Sequence, residues 1–102
     1  MKVIFVSGAF RGSNSWEIHQ NVLKAEQATA KLIGEGYAVI CPHTMTANMQ
    51  GLYEDRVYLD MCLELLRRCD ASYFLKGWRN SAGAREEFAE ATSLGIKVMF
   101  EE

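Results

Sequence analysis

The chain alternates short apolar runs with longer stretches of helical periodicity. Lys2 to Ser7 is an apolar, β-rich run that ends at Gly8, as a central parallel strand does when it feeds a loop. After the loop Gly8 to Asn14, Ser15 is placed to cap a helix. Ile18, Val22, Ala25, Ala28/Thr29 and Leu32 then recur at helical spacing until Gly34-Glu35-Gly36 stops the pattern. Tyr37 to Cys41 is a second strand, closed by Pro42, which cannot donate to a ladder. From His43 to about Glu54 the pattern is irregular and predicts a long loop with room for a short helical turn. Val57, Met61, Leu65/Leu66 and Cys69 mark a second helix, with Asp55 near its start and Arg67-Arg68 near its end, as the macrodipole prefers. Ala71 to Leu75 is the third strand. A third helix starts near Ala82 and carries Ala84, Phe88, Ala91 and Leu94 to Gly95, and Ile96 to Phe100 is the fourth strand.

This order predicts a small doubly wound α/β domain, a Rossmann-like or flavodoxin-like parallel sheet of about four strands with right-handed crossovers and helices on both faces. In such sheets ligands bind outside the carboxyl ends of the strands. The loops there are Gly8 to Asn14, Pro42 to Glu54 and Lys76 to Gly83. With 102 residues the chain is expected to form one domain. No apolar run approaches a membrane span, and the run after Met1 is short enough to be a buried strand rather than a leader, so a cytoplasmic protein without a membrane partner is expected. A net charge of −2 argues against a nucleic-acid polymer as partner. Cys41, Cys62 and Cys69 are odd in number and lack metal-ligand spacing, so they are read as reduced thiols, with no metal site and no cofactor.

Chemistry concentrates in two segments. The loop Gly8-Ala9-Phe10-Arg11-Gly12 offers backbone donors and a guanidinium suited to a phosphate or a sugar hydroxyl, although it fits neither G-x-G-x-x-G nor the Walker A pattern. A plain β-α turn with a solvated arginine is the simpler alternative. Around Ser81-Ala82-Gly83, a strand hands over to a helix that carries Glu86, Glu87 and Glu90. Glu87 has Gly83, Ala84 and Ala91 as its helical neighbours, whereas Glu86 and Glu90 neighbour each other on a more polar side. Glu87 is therefore expected at the edge of the buried stripe, where desolvation raises a carboxylate pKa and suits a nucleophile or a general acid/base. Asp70, just before the third strand, is expected to bond backbone at the sheet's N-terminal edge. Asp55 and Asp60 lie nearer the ligand side if their helix starts there, and either could hold a ligand hydroxyl or a base nitrogen. His43, just past the second strand, suits ligand contact or a capping role equally, and His19 is expected at the surface. Trp16, Trp78 and Tyr53 lie in or beside the ligand-side loops, to stack on a base or to pack beneath them.

Together these segments resemble the nucleoside 2-deoxyribosyltransferase superfamily, which includes the 2'-deoxynucleoside 5'-monophosphate N-glycosidases. Gly8-Ala9-Phe10-Arg11-Gly12 is similar to the first-loop Gly-Ser-Ile-Arg-Gly of the nucleotide hydrolases, with Ala9 in place of the serine. Cys69-Asp70, Gly77-Trp78, Ser81-x-Gly83-Ala84 and Glu87 resemble the segment around the family's nucleophilic glutamate, most closely in a branch of small bacterial and phage proteins. The resemblance implies an N-glycosidic-bond hydrolase or transferase acting on a deoxynucleoside or its monophosphate. Glu87 would be the nucleophile and Asp60 the acidic residue assisting at the base. Ser81 and Arg11 would contact phosphate or sugar, and Gly8, Ala9, Phe10, Gly12, His43, Trp78 and Gly83 would line the substrate site. Family members complete their sites with a C-terminal extension or a neighbouring subunit, which implies a homodimer or larger homo-oligomer here. A non-catalytic nucleotide-binding module is the alternative from a different class.

Overall fold

A computed structural model describes residues 1–102. Its elements are β1 (Val3–Ser7), α1 (Ser15–Gly34), β2 (Ala38–Ile40), α2 (Pro42–Met45), α3 (Asp55–Arg67), β3 (Ala71–Phe74), a single 3-10 turn (Trp78–Asn80), α4 (Ala82–Leu94) and β4 (Lys97–Phe100). The four strands form one parallel sheet in the order β2-β1-β3-β4, the doubly wound architecture that the hydrophobic pattern predicts.

Strand parity explains both faces of the sheet. Ile4 and Val6 of β1, with Ala71 and Tyr73 of β3, pack against Ala25, Ala28 and Leu32 of α1. Phe5 points the other way, toward Leu66 of α3 and Ala91 of α4. Because successive side chains of a strand alternate between faces, Ser7 shares the Phe5 face and looks toward α3 and α4. At the end of β3, Phe74 packs with Trp78 and Ala84, and Phe88 completes this cluster. Trp78 stacks on Phe88 at 4.7 Å between ring centroids and on Phe100 at 6.0 Å, which pins the turn leading into α4 to the sheet edge. At the opposite end of the strands, the Val3 amide donates to Asp70 Oδ2 at 2.8 Å and the Asp70 amide donates to the Val3 carbonyl at 2.8 Å. Asp70 thus has the structural place that its position before β3 predicts.

Three expectations change in detail. Asn14 rather than Ser15 caps α1, accepting from the Glu17 amide at 2.9 Å, while Glu17 reaches back to the Ser13 amide at 2.7 Å. Asn outcompetes Ser here because it stands at the last extended residue, with Ser15 already helical. Pro42 does more than close β2: it occupies the first turn of α2, where its missing N–H has no helical acceptor to lose. On α3 the buried residues are Leu63 and Leu66, with Cys62 and Leu65 partly buried, whereas Val57 and Met61 are exposed. The helix lies against both the sheet and α4, so its buried face is rotated away from the row through Val57 and Met61.

Gly8 follows β1 at the closest approach of two strand ends. A Cβ there would lie 2.8 Å from the Leu75 side chain, whose Cβ is itself buried in the core. Gly8→Ala should therefore destabilise the fold by about 1–3 kcal/mol through overpacking, measured as a lowered denaturation midpoint with an unchanged slope. A neutral outcome would show that Leu75 has freedom to repack.

Candidate functional site

In this strand order β1 leads to a helix on one face of the sheet and β3 to a helix on the other, so their carboxyl ends flank the topological switch point. A cavity of about 680 Å³ opens there. It is lined by the loop after β1, by α2 and the connection behind it, by one side of α3 and by the first turns of α4. That volume is in the range that holds a small organic ligand.

The loop Gly8 to Gly12 forms one wall. Asn21 of α1 holds its shape by donating from Nδ2 to the Phe10 and Arg11 carbonyls, each at 3.1 Å. His43 lies behind it, buried, with its Nε2–H donating to the Ala9 carbonyl at 3.1 Å and its ring edge-on to Phe10. Burial holds the His43 pKa below its ordinary value, against the opposing pull of the Ala9 and Gly8 carbonyls. Opposite this wall, Ser81 caps α4 by accepting from the Ala84 amide at 3.2 Å, and Ser81 and Gly83 both face the cavity.

Glu87 sits one turn further along α4. It is 7% exposed and lines the cavity, and its Oε1 accepts a 2.6 Å hydrogen bond from the Ser7 hydroxyl at the end of β1. Burial raises its pKa to about 7; the Ser7 bond opposes that rise and the neighbouring Glu86 carboxylate adds to it. Cys62 of α3 also lines the cavity, and burial together with the Glu87 charge pushes its thiol up to about 12, so it presents a neutral S–H. The floor of the site therefore consists of weakly polar groups around a single carboxyl.

The rim differs sharply. Arg11 pairs with Asp55 at 2.6 Å across the cavity mouth, and Arg56 forks between Asp60 at 2.8 Å and both oxygens of Glu86 at 2.8 and 3.0 Å. These groups are largely exposed, and such pairs contribute at most about 1 kcal/mol each. Asp60 is not a wall of the cavity: it is exposed, turned outward and engaged by Arg56, while Asp55 takes the lining position. Five residues separate the two, a rotation that leaves Asp60 about 140° around the helix from Asp55 and off the face that lines the opening. Trp78 is likewise outside the cavity, because the stack with Phe88 and Phe100 consumes its faces. Trp16 and Tyr53 are exposed and away from the walls, and His19 is at the surface. The residues that the sequence reading missed are Ser7, Cys62, Arg56 and Glu86. Ser7 was within reach of a parity argument, since it shares a strand face with Phe5. No three His, Cys, Asp or Glu side chains converge as a metal ion would need.

A carboxylic acid that is easier to protonate when folded than when unfolded makes the protein less stable as pH rises between the two pKa values. For Glu87 that window runs from 4.5, its ordinary value, to about 7. Glu87→Gln, which keeps the shape and removes the ionisation, should match the parent near the bottom of the window. Above it the variant should be the more stable by on the order of 3 kcal/mol. Denaturant titrations across that range check this; a stability difference that does not change with pH would show that Glu87 ionises at its ordinary value.

The same architecture is found in 2-deoxyribosyltransferase from the psychrotolerant bacterium Bacillus psychrosaccharolyticus, with a TM-score of 0.67 and 20% sequence identity over 96% of this chain and 70% of that one. At that identity the likeness is one of fold. No curated protein matches the chain. Residues 2–100 match the family described as a domain of unknown function, DUF4406, and on that match the chain belongs to it.

Proposed function

We propose that the chain is an N-glycosidic-bond enzyme that hydrolyses or transfers the base of a deoxynucleoside or its monophosphate, with Glu87 as nucleophile. The observation that carries this reading is the buried Glu87 carboxyl, held by Ser7 through one oxygen, at the floor of a ligand-sized cavity on the switch point. The shared deoxyribosyltransferase fold supports it.

Ser7 fixes Oε1, which leaves Oε2 as the attacking atom. Ionised Glu87 forms a C1'–O bond while the C1'–N bond breaks, the electron pair leaves with the base, and water protonates the departing nitrogen. Water or a second base then attacks C1', the C1'–O bond breaks and the carboxylate is restored, with the incoming group releasing its proton to solvent. Desolvation raises the energy of the carboxylate before reaction, and forming the neutral ester relieves it. Asp60, paired with Arg56 outside the cavity, has no part in this scheme.

The protein is also proposed to work as a homo-oligomer. Met45 at the end of α2, Met49, Leu52 and Tyr53 on the connection after it, and Val57 and Met61 on α3 are all exposed; the same connection lines the cavity through Thr46 and Gln50, so a second copy covering it would narrow the opening.

Incubation with the common deoxynucleosides and their 5'-monophosphates, with and without a free acceptor base, should release or exchange the base. Glu87→Ala should lower that rate by at least about a thousandfold with folding retained. Because only the carboxylate attacks, kcat/KM should rise with pH through about 7 and then level off. Undiminished turnover in Glu87→Ala would remove the nucleophile assignment, and a tightly bound nucleoside recovered intact would make the cavity a binding site only. Sedimentation should give a dimer or larger species; a monomer at micromolar concentration would remove the assembly from the proposal.

A further inference from the structure

The charges around the cavity mouth bear on which substrate enters. Two cations line it, Arg11 and Arg56, and each is already matched by carboxylates: Arg11 by Asp55, and Arg56 by Asp60 together with both oxygens of Glu86. His43 adds no positive charge, since it is buried and its Nε2–H is committed to the Ala9 carbonyl. The lining thus holds two guanidinium groups against the carboxyls of Asp55, Glu86 and Glu87, and none of its cations is free. The loop itself is also poorer in donors than the first loop it resembles, since Ala9 offers no hydroxyl.

A phosphate dianion entering this mouth has to displace Asp55 from Arg11 and then lie beside that carboxylate, whereas an uncharged sugar hydroxyl meets donors and acceptors already in place. We infer that the cavity selects the uncharged deoxynucleoside over its 5'-monophosphate, and that Asp55, by occupying Arg11, is the residue that sets this preference. The inference rests on the nucleoside-directed reading of the site, but it concerns recognition and not the chemical step. Asp55 acts through Arg11 and through its own charge, so its removal should change the ratio between two ligands and not merely weaken both.

The test is calorimetric binding of the four common 2'-deoxynucleosides, each against its own 5'-monophosphate, at fixed physiological ionic strength. Glu87→Gln serves as the background, so that the ligands survive the titration. At least one nucleoside should bind about tenfold or more tightly than its monophosphate. Adding Asp55→Asn should move that ratio by about tenfold toward the monophosphate, the Coulombic effect of deleting one charge a few ångströms from a dianion in largely aqueous surroundings. Asp55→Glu should keep the parent ratio. Asp55 is exposed, so these variants should fold, and circular dichroism verifies it. A monophosphate bound as tightly as its nucleoside, a ratio indifferent to Asp55→Asn, or binding of neither ligand would overturn the inference. A nucleoside that binds selectively to the parent protein but is never cleaved would leave this inference standing and overturn the catalytic reading.

Discussion

Burying a carboxylate costs free energy that only a hydrogen-bond donor or an opposite charge offsets, and Glu87 has one donor, Ser7, and no ion pair. That single contact ties α4 to the end of β1. It depends on Ser7 lying on the α4 side of the sheet, on the Ser81 cap starting α4 at the right residue, and on the aromatic stack under Trp78 fixing the turn that precedes it. Each of these supports is structural in itself. Together they hold one ionisable group in a place where solvation alone would not keep it.

Much of this could be read along the chain. The four apolar runs and three helical stretches are where the strands and principal helices lie, because each run is long enough for its periodicity to show. Glu87 could be separated from Glu86 and Glu90 by its small neighbours, and the structure buries Glu87 while engaging Glu86 and Glu90 with Arg56 and Arg67. What stayed hidden depends on pairing between elements. Asp60 and Asp55 are equivalent candidates in sequence until Arg56 and Arg11 choose between them. Trp78 looks like a stacking platform until Phe88 and Phe100, from two other elements, cover it. The α3 stripe differs for the same reason: Leu59, Cys62, Leu63 and Leu66 also recur at helical spacing, and only the sheet and α4 decide between that row and the one through Val57 and Met61.

The cavity joins two electrostatic regimes. Its floor holds groups whose burial favours their neutral forms, namely the Glu87 carboxyl, the Cys62 thiol and the His43 imidazole. Its mouth is laced by exposed ion pairs that salt screens. The floor is therefore fixed by folding, and the mouth is adjustable by single charge substitutions that leave the core untouched.

Ser7 and Glu87 are 80 residues apart along the chain, and every strand pairing around them is parallel and non-local. Loop-closure entropy makes such contacts late to form. The buried carboxyl thus comes into being only when the first strand and the last helix are both in place. A nascent or partly folded chain carries the same Glu87 as an ordinary solvated glutamate, so its raised pKa belongs to the completed topology and to no segment of it.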